Sequence, residues 1–464
     1  MQRRGIAFDD NTPIWRTMLI FLIPLMLSNI LQAASGTFTS IFLGRMIGVG
    51  ALAVAASIFP MLFFLLSFFI GISSGSTVLI GQAYGARNEE RVAHIAGTTI
   101  TFAVLTAVVI GAIGIAFERD ILTLIGTPKD IFEDAIAYAR IFFMTMPVFF
   151  VYLGYTTFLR GVGDSRTPFV VLLGTTAIGV ALTPMLIKGT FGLPQLGVIS
   201  APIANTISMA IGVVGQLVWL QIHDSPLAPG KVLPAWRLDW KILSQVTRIG
   251  LPTGVQLVMV SLSEIAVLAV VNRFGSQATA AYGAVNQVVS YVQFPAISIG
   301  IAASIFGAQS IGAQRSDRLR KIARAGVALN YAIGGVLIVI CYVFSRQIIS
   351  LFVTNRSVVD IAQSLLHITL WSYVIFGNTS VLSGLMRSSG TVLWPTLIGV
   401  AAIWGVEVPV AWFLSSGPLG LPGIWVAYPV AFICSLTAMT TYYYAVWRRR
   451  PLKGMHEPLE AGST

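Results

Sequence analysis

The sequence predicts an all-α polytopic membrane protein, with twelve transmembrane helices in two pseudo-symmetric six-helix lobes. Three observations predict it. Of 464 residues, 56% are apolar and only 10% are Asp, Glu, Lys or Arg, against roughly 25% charged in a soluble domain. The apolar residues form long continuous runs and do not alternate with period two, which favours helices over a barrel. The chain also matches itself at an offset of 227 residues. Too few charges remain to solvate a soluble fold, which excludes a soluble enzyme, a nucleic-acid binder and a disordered chain.

A bilayer core of about 30 Å needs roughly 20 apolar helical residues. Twelve segments qualify, at about 15–37, 50–78, 93–117, 135–158, 168–187, 197–221, 246–271, 278–306, 323–345, 362–385, 396–415 and 422–446. The Met1-Gln2-Arg3-Arg4 start is not read as a signal peptide, because the repeat begins inside the run that follows it. With the N-terminus inside, 21 of the 29 Lys and Arg residues fall on the inner side and 8 on the outer side. The positive-inside rule therefore places both termini in the cytoplasm. The net charge of +11 sits in short loops and in the Arg448-Arg449-Arg450 tail, as topology anchors against membrane lipid and with no nucleic-acid footprint. Cys341 and Cys434 lie in apolar runs and read as buried small hydrophobes.

The repeat pairs Gly48 with Gly275, Gln82 and Gly85 with Gln309 and Gly312, Arg119 with Arg346, Arg160 with Arg387, and Pro168 with Pro395. Pro24 and Pro252 are 228 apart, so one gap falls between Pro24 and Gly48. A six-helix unit returns the second copy in the same orientation, about an axis along the membrane normal. This divides the chain into a first lobe (1–222), a cytoplasmic linker (223–243), a second lobe (244–447) and a cytoplasmic tail (448–464). Two such lobes suggest alternating access, with substrate bound between them.

Intramembrane carboxylates are costly and usually functional. Of 18 acidic residues, two fall inside spans, Glu264 in the seventh and Glu407 in the eleventh. Their first-lobe counterparts, Thr37 at the offset of 227 and the Val180 to Leu182 region, are neutral. If the two spans are neighbours, both glutamates share a polar cavity, where two close carboxylates do not both ionise cheaply. A proton or a monovalent cation is the natural occupant, and protonation is expected to couple to lobe movement. Gln32, Thr37, Thr39, Asn286, Gln287, Asn378 and Trp404 are candidates for the substrate cavity. Tyr291, Phe294 and Trp371 are further aromatic candidates for lining it, and His367 reads as a structural hydrogen-bonding residue. Pro24, Pro252, Gln82, Gly85, Gln309 and Gly312 read as gate or hinge elements, because proline breaks the helical ladder and glycine permits close turns. No nucleotide, nucleophile or zinc motif has its required context, so no enzyme activity, cofactor or metal is expected and the energy comes from an ion gradient.

The pattern resembles the multidrug and toxic compound extrusion (MATE) family. Its carriers are Pro24 with Pro252, Gly44-Arg45 to Gly48 followed by Ala51-Leu52-Ala53, and the Gln-x-x-Gly-Ala element at Gln82 and Gln309. Leu159-Arg160-Gly161-x-Gly163-Asp164 and Gly197-x-x-x-Ala201-Pro202 complete the set. The spacing is similar to the DinF-like branch more than to the NorM branch. The resemblance implies two V-shaped bundles in a monomer of the bacterial inner membrane. It also implies export of cationic amphipathic small molecules by H+ or Na+ antiport. The chain departs from the pattern where members carry an Asp late in span 1 (here Thr37-Phe38-Thr39-Ser40) and polar or acidic residues in span 5 (here Gly179 and Thr183). It departs again at an acid in span 10, where Phe376 to Asn378 stand, and Glu264 falls about one turn later than the family's span-7 Glu. These departures place the coupling in the second lobe. A lipid or lipid-linked oligosaccharide flippase of a related fold, and a non-transporting receptor or scaffold, are the alternatives. The first would need a cationic cavity and the second no intramembrane carboxylate.

Overall fold

In the computed structural model, which describes residues 12–353 and 355–449, every regular element is helical. Arg3, Arg4, Thr354, Arg450, Lys453 and the rest of the tail lie outside the described residues. Among the described residues, twelve helices are long and apolar enough to cross a membrane. They are α1 (Ile14–Ile47), α2 (Val49–Gly85), α3 (Glu89–Ala116), α4 (Lys129–Gly161), α5 (Arg166–Lys188), α6 (Gly197–Ile222), α7 (Trp240–Phe274), α8 (Ser276–Gly312), α9 (Asp317–Val343), α10 (Arg356–Arg387), α11 (Leu393–Ser415) and α12 (Leu421–Arg449). The number agrees with the sequence expectation. α2 and α8 run further than expected, 37 residues each, because the Gly-rich stretches read as loops continue the helix to Gly85 and Gly312.

The repeat extends to the backbone and to side-chain pairs. Gly48 and Gly275 have φ of 131° and 91°, Arg87 and Gln314 have φ of 58° and 57°, and Gly163 and Gly390 have φ of 89° and 76°. Each pair is 227 residues apart. The ion pairs Arg119–Glu133 (3.0 Å) and Arg346–Asp360 (2.8 Å) repeat at the same offset in both partners. They are exposed and contribute little stability.

The one-residue gap is also visible. α1 ends in a π turn over Leu43–Ile47, whereas α7 ends in a tight 3-10 turn over Asn272–Phe274. A π turn absorbs an extra residue without breaking the helix. The gap therefore lies at 43–47, and the offset of 228 holds through the preceding helix. At that offset Glu264 falls opposite Gly36, not Thr37, and Ser263 opposite Ser35. The π turn thus shifts the counterpart of Glu264 by one residue from the Thr37 expected at the offset of 227.

The chain divides into two compact units. A C-terminal unit holds Met1–Met26, Gly81–Arg87 and Leu251–Thr464; an N-terminal unit holds Leu27–Ile80 and Asn88–Gly250. α1 passes from one unit to the other just after Pro24, and α7 does so just before Pro252. Both prolines lie inside helices, where the missing N–H removes one i→i−4 bond. In the N-terminal unit, α3 and α4 pack through Ala103, Ala107, Phe143 and Met146, and Phe69 stacks on Phe150 at 4.2 Å. In the C-terminal unit, Phe21 and Leu22 of α1 pack on Ile299, Ala302 and Phe306 of α8. Cys341 is buried, but Cys434 is exposed, contrary to its sequence reading. The face that carries it is apolar and suits lipid.

Candidate functional site

Glu407 is the last residue of a π-helical stretch, Ile403–Glu407, inside α11. The stretch answers to Pro409, which cannot donate to residue 405, and the wider turn re-aims the side chains there. Glu407 is buried, 6% exposed. It lines a cavity of about 210 Å³ that lies wholly within the C-terminal unit. Among the described residues it makes no hydrogen bond or ion pair.

α10 ends, turns and feeds α11, so the two run in opposite directions. Glu407, fourteen residues into α11, is level with Tyr373, fourteen residues before the end of α10. Around this level stands an aromatic cluster. Tyr373 and Phe376 of α10 meet Phe432 of α12 at ring separations of 5.3 and 5.4 Å, and Tyr428 lies 6.4 Å from Phe432. Phe376 and Phe432 face the cavity with Glu407. The remaining polar wall comes from Thr379, Ser380, Ser383 and Arg387 of α10, Gln256 of α7 and Ser435 of α12.

α10 can approach α8 closely because small residues meet there. A Cβ on Gly384 would overlap the Gly300 carbonyl, one on Gly300 would come within 2.9 Å of the Ser380 carbonyl, and one on Gly307 within 2.6 Å of the Ser388 hydroxyl. Gly399 of α11 leaves room for the Gln256 amide, whose Nε2 would lie 2.7 Å from a Cβ there. α7 and α11 are neighbours, as the shared-cavity expectation required. Glu264 nevertheless does not line the cavity. It is exposed on α7, within electrostatic reach of Glu407.

The other candidate residues fall in several places. Asn378 is buried and off the cavity; its Oδ1 accepts from Asn330 Nδ2 at 3.0 Å, and its Nδ2 donates to the Tyr331 hydroxyl at 3.1 Å. Asn330 starts a π turn in α9 and also donates to the Val374 carbonyl at 2.8 Å. Asn378 thus ties α10 to an irregular helix. Asn378→Ala is expected to cost about 1–3 kcal/mol by leaving one N–H of the Asn330 amide and the Tyr331 hydroxyl without their Asn378 partners, and to leave the ion dependence of transport unchanged. Thermal unfolding and flux assays read the two effects separately. Trp404 is exposed and donates from Nε1 to the Met259 carbonyl at 3.2 Å, off the cavity. Asn286 is half-buried and Gln287 exposed, and neither lines it. Gln32 and Thr37 are exposed and Thr39 half-buried, all in the N-terminal unit; both threonines bond back to their own helix, at 3.1 Å to Ala33 and Ser35. His367 lies 3.2 Å from the Ser345 hydroxyl.

Gln82, Gly85, Gln309 and Gly312 come together in the C-terminal unit. A Cβ on Gly85 would overlap the Gln309 carbonyl, and a Cβ on Gly312 would overlap the Gln82 carbonyl. The ends of α2 and α8 thus sit backbone on backbone, each glycine seated on the other's glutamine. Both glutamines are 1% exposed, and Gln82 Nε2 donates to the Ser388 carbonyl at 2.8 Å. The arrangement is a tight closure of helix ends and can hold no bulk.

Ser380, Ser383, Ser435, Gln256, Phe376, Phe432 and Arg387 were not singled out from sequence as site residues. Serines in membrane helices are common helix glue, and only their shared face distinguishes these. The available signal was the spacing of Phe376, Ser380, Ser383 and Arg387, at i, i+4, i+7 and i+11, which is one helical stripe.

Comparison with known proteins agrees with this architecture. The MatE family description matches residues 24–185 and 252–413, and its two matches begin at Pro24 and Pro252. The chain is 51% identical over 441 residues to the "Probable multidrug resistance protein YoeA" of Bacillus subtilis, covering 95% of each chain. It is 26% identical over 442 residues to the "Probable multidrug resistance protein YpnP" of the same organism, covering 95% of this chain and 97% of the relative. The crystal structure of the Vibrio cholerae MATE transporter VcmN in the bent form has the same fold, with a TM-score of 0.85 at 18% identity over 94% of this chain and 97% of that one. The duplicated six-helix chain, its twelve spans and these matches together make this protein a multi-pass membrane transporter of the MATE family.

Proposed function

We propose that the protein exports cationic amphipathic small molecules by proton-coupled antiport, with Glu407 as the coupling carboxylate. The observation that carries the reading is a buried Glu407, unpaired among the described residues, on the wall of a largely apolar cavity. A carboxylate in such a place is costly while charged. Taking up a proton removes that cost, and a cation drawn to the same carboxylate competes with the proton. Ring faces at Phe376 and Phe432 offer a quadrupole suited to an organic cation. Glu264, in electrostatic reach, makes the doubly charged state less favourable and so links loss of one proton to the state of the other site. The relatives named for multidrug resistance support small-molecule drugs as substrates. The proposed location is the inner membrane with both termini cytoplasmic, an orientation supported by the distribution of Lys and Arg.

The test is efflux of an ethidium-like cation from proteoliposomes under an imposed proton gradient and, separately, a sodium gradient. Proton-driven efflux is expected in the wild type. It is expected to fall at least tenfold in Glu407→Gln and to weaken in Glu264→Gln, with both variants remaining folded. Efflux driven by sodium alone, or full proton-driven efflux in both variants, contradicts the reading.

A further inference from the structure

The end of the Glu407 cavity opposite the carboxylate is cationic. Arg387 lines it, eleven residues beyond Phe376 and so about 16 Å further along the α10 axis. A basic residue at the end of a span ordinarily extends its charged group into the water. Arg387 does not do so fully: its Nε is buried and has no hydrogen-bond partner. Among the described residues no carboxylate pairs with it. Leaving such a donor buried and unpaired is unfavourable by more than a neutral group would be.

The cavity wall shows the same vacancy in its neutral groups. Most membrane hydroxyls of this unit bond to their own helix, as Thr379 does to Ile375, Ser298 to Phe294 and Ser310 to Phe306. The side chains of Ser380, Ser383, Ser435 and Gln256 make no hydrogen bond to protein among the described residues, and all four face the cavity with Arg387. A guanidinium, three hydroxyls and an amide are a donor-rich set, and the guanidinium fork matches a carboxylate in geometry. Glu407 and the aromatic faces stand at the other end.

We propose that this cavity holds small zwitterions, with Arg387 and its neighbouring hydroxyls taking a carboxylate while an ammonium group faces Glu407. The proposal rests on the reading of Glu407 as the cation-facing group and adds Arg387 as a specificity-determining residue. A volume of about 210 Å³ is below the range of roughly 300–1,000 Å³ usual for drug-sized pockets. It admits a compact molecule, or the zwitterionic end of a larger one.

The test compares 4-(aminomethyl)benzoate with benzylamine, which lacks the carboxylate, in calorimetric binding to the purified full-length protein at neutral pH. The wild type is expected to bind the zwitterion at least tenfold more tightly. Arg387→Gln is expected to remove that preference and leave benzylamine binding unchanged. Arg160→Gln, at the repeat-related position, is expected to keep it. Absence of the preference in the wild type, its persistence in Arg387→Gln, or its equal loss in Arg160→Gln overturns the proposal. If Arg387→Gln does not fold, competition in the wild type reads the same subsite: benzoate must displace the zwitterion, and failure to do so overturns the proposal equally. Glu407→Gln separates the two readings. If it keeps benzylamine binding while Arg387→Gln loses the carboxylate preference, the anion subsite stands and the role given to Glu407 fails.

Discussion

Gly312→Ala is expected to lower transport at least tenfold while leaving a protein that still inserts and folds. The reason is steric and local. The added methyl would overlap the Gln82 carbonyl oxygen, and that oxygen belongs to the backbone, so no side-chain rotation relieves the overlap. The ends of α2 and α8 must separate, and the 2.8 Å bond from Gln82 Nε2 to the Ser388 carbonyl is lost as they do. Overpacking of this kind typically costs about 1–3 kcal/mol, and here it falls on one arrangement of the helix ends. A transporter that must pass through that closed arrangement is then slowed at the step that forms it. Gly85→Ala removes the reciprocal seat on Gln309 and is expected to have the same effect. The double variant is expected to be little worse than either single one, because both changes break one closure. Substrate efflux together with thermal unfolding checks this. Near-normal efflux in both single variants would show that the closure is not needed.

Gly384→Ala is expected to have the largest effect on stability. Here the obstructed group is the Gly300 carbonyl, in the middle of the α8–α10 contact. Membrane helices gain association energy from such close approach. A methyl that holds the backbones apart therefore removes packing along the whole seam, including Gly307 against Ser388. It also displaces the α10 stripe that forms one wall of the Glu407 cavity. A lowered unfolding temperature and loss of monodispersity in detergent are expected. A melting temperature equal to wild type would mean that the seam is looser than its geometry indicates.

Much of this architecture was legible in the sequence because it depends on composition and period. Apolar runs long enough to span a bilayer give twelve helices, and an offset ungapped from Gly48 to Pro168 gives the duplication, including the match of Arg119 with Arg346; their carboxylate partners Glu133 and Asp360 emerge only in the structure. The acidic residue of the cavity was legible too, since a carboxylate in a span stands out against its surroundings. The facing of ordinary residues was not. Ser380, Ser383 and Ser435 are chemically identical to the helix-bonded serines around them, and only the α8–α10–α12 packing exposes them to a cavity. Arg387 was read as an anchor at a span end because its sequence position gives no sign that its Nε is covered. Asn378 was expected in the cavity for its polarity, but an irregular turn beginning at Asn330 takes its hydrogen bonds. Such turns also hid the register of α1: the π turn at Leu43–Ile47 carries the extra residue and moves the counterpart of Glu264 to Gly36. Helix pattern fixes the period of a face, whereas a one-residue bulge resets which residue occupies it.

In the proposed mechanism Glu407 carries the proton exchanged for substrate. Its most direct measurement is proton movement itself, followed with a pH-sensitive dye in sealed proteoliposomes as an ethidium-like cation is added without any imposed gradient. A substrate-dependent proton flux is expected in the wild type, opposite in direction to the substrate, and its loss is expected in Glu407→Gln. An undiminished substrate-dependent proton flux in folded Glu407→Gln would contradict that mechanism.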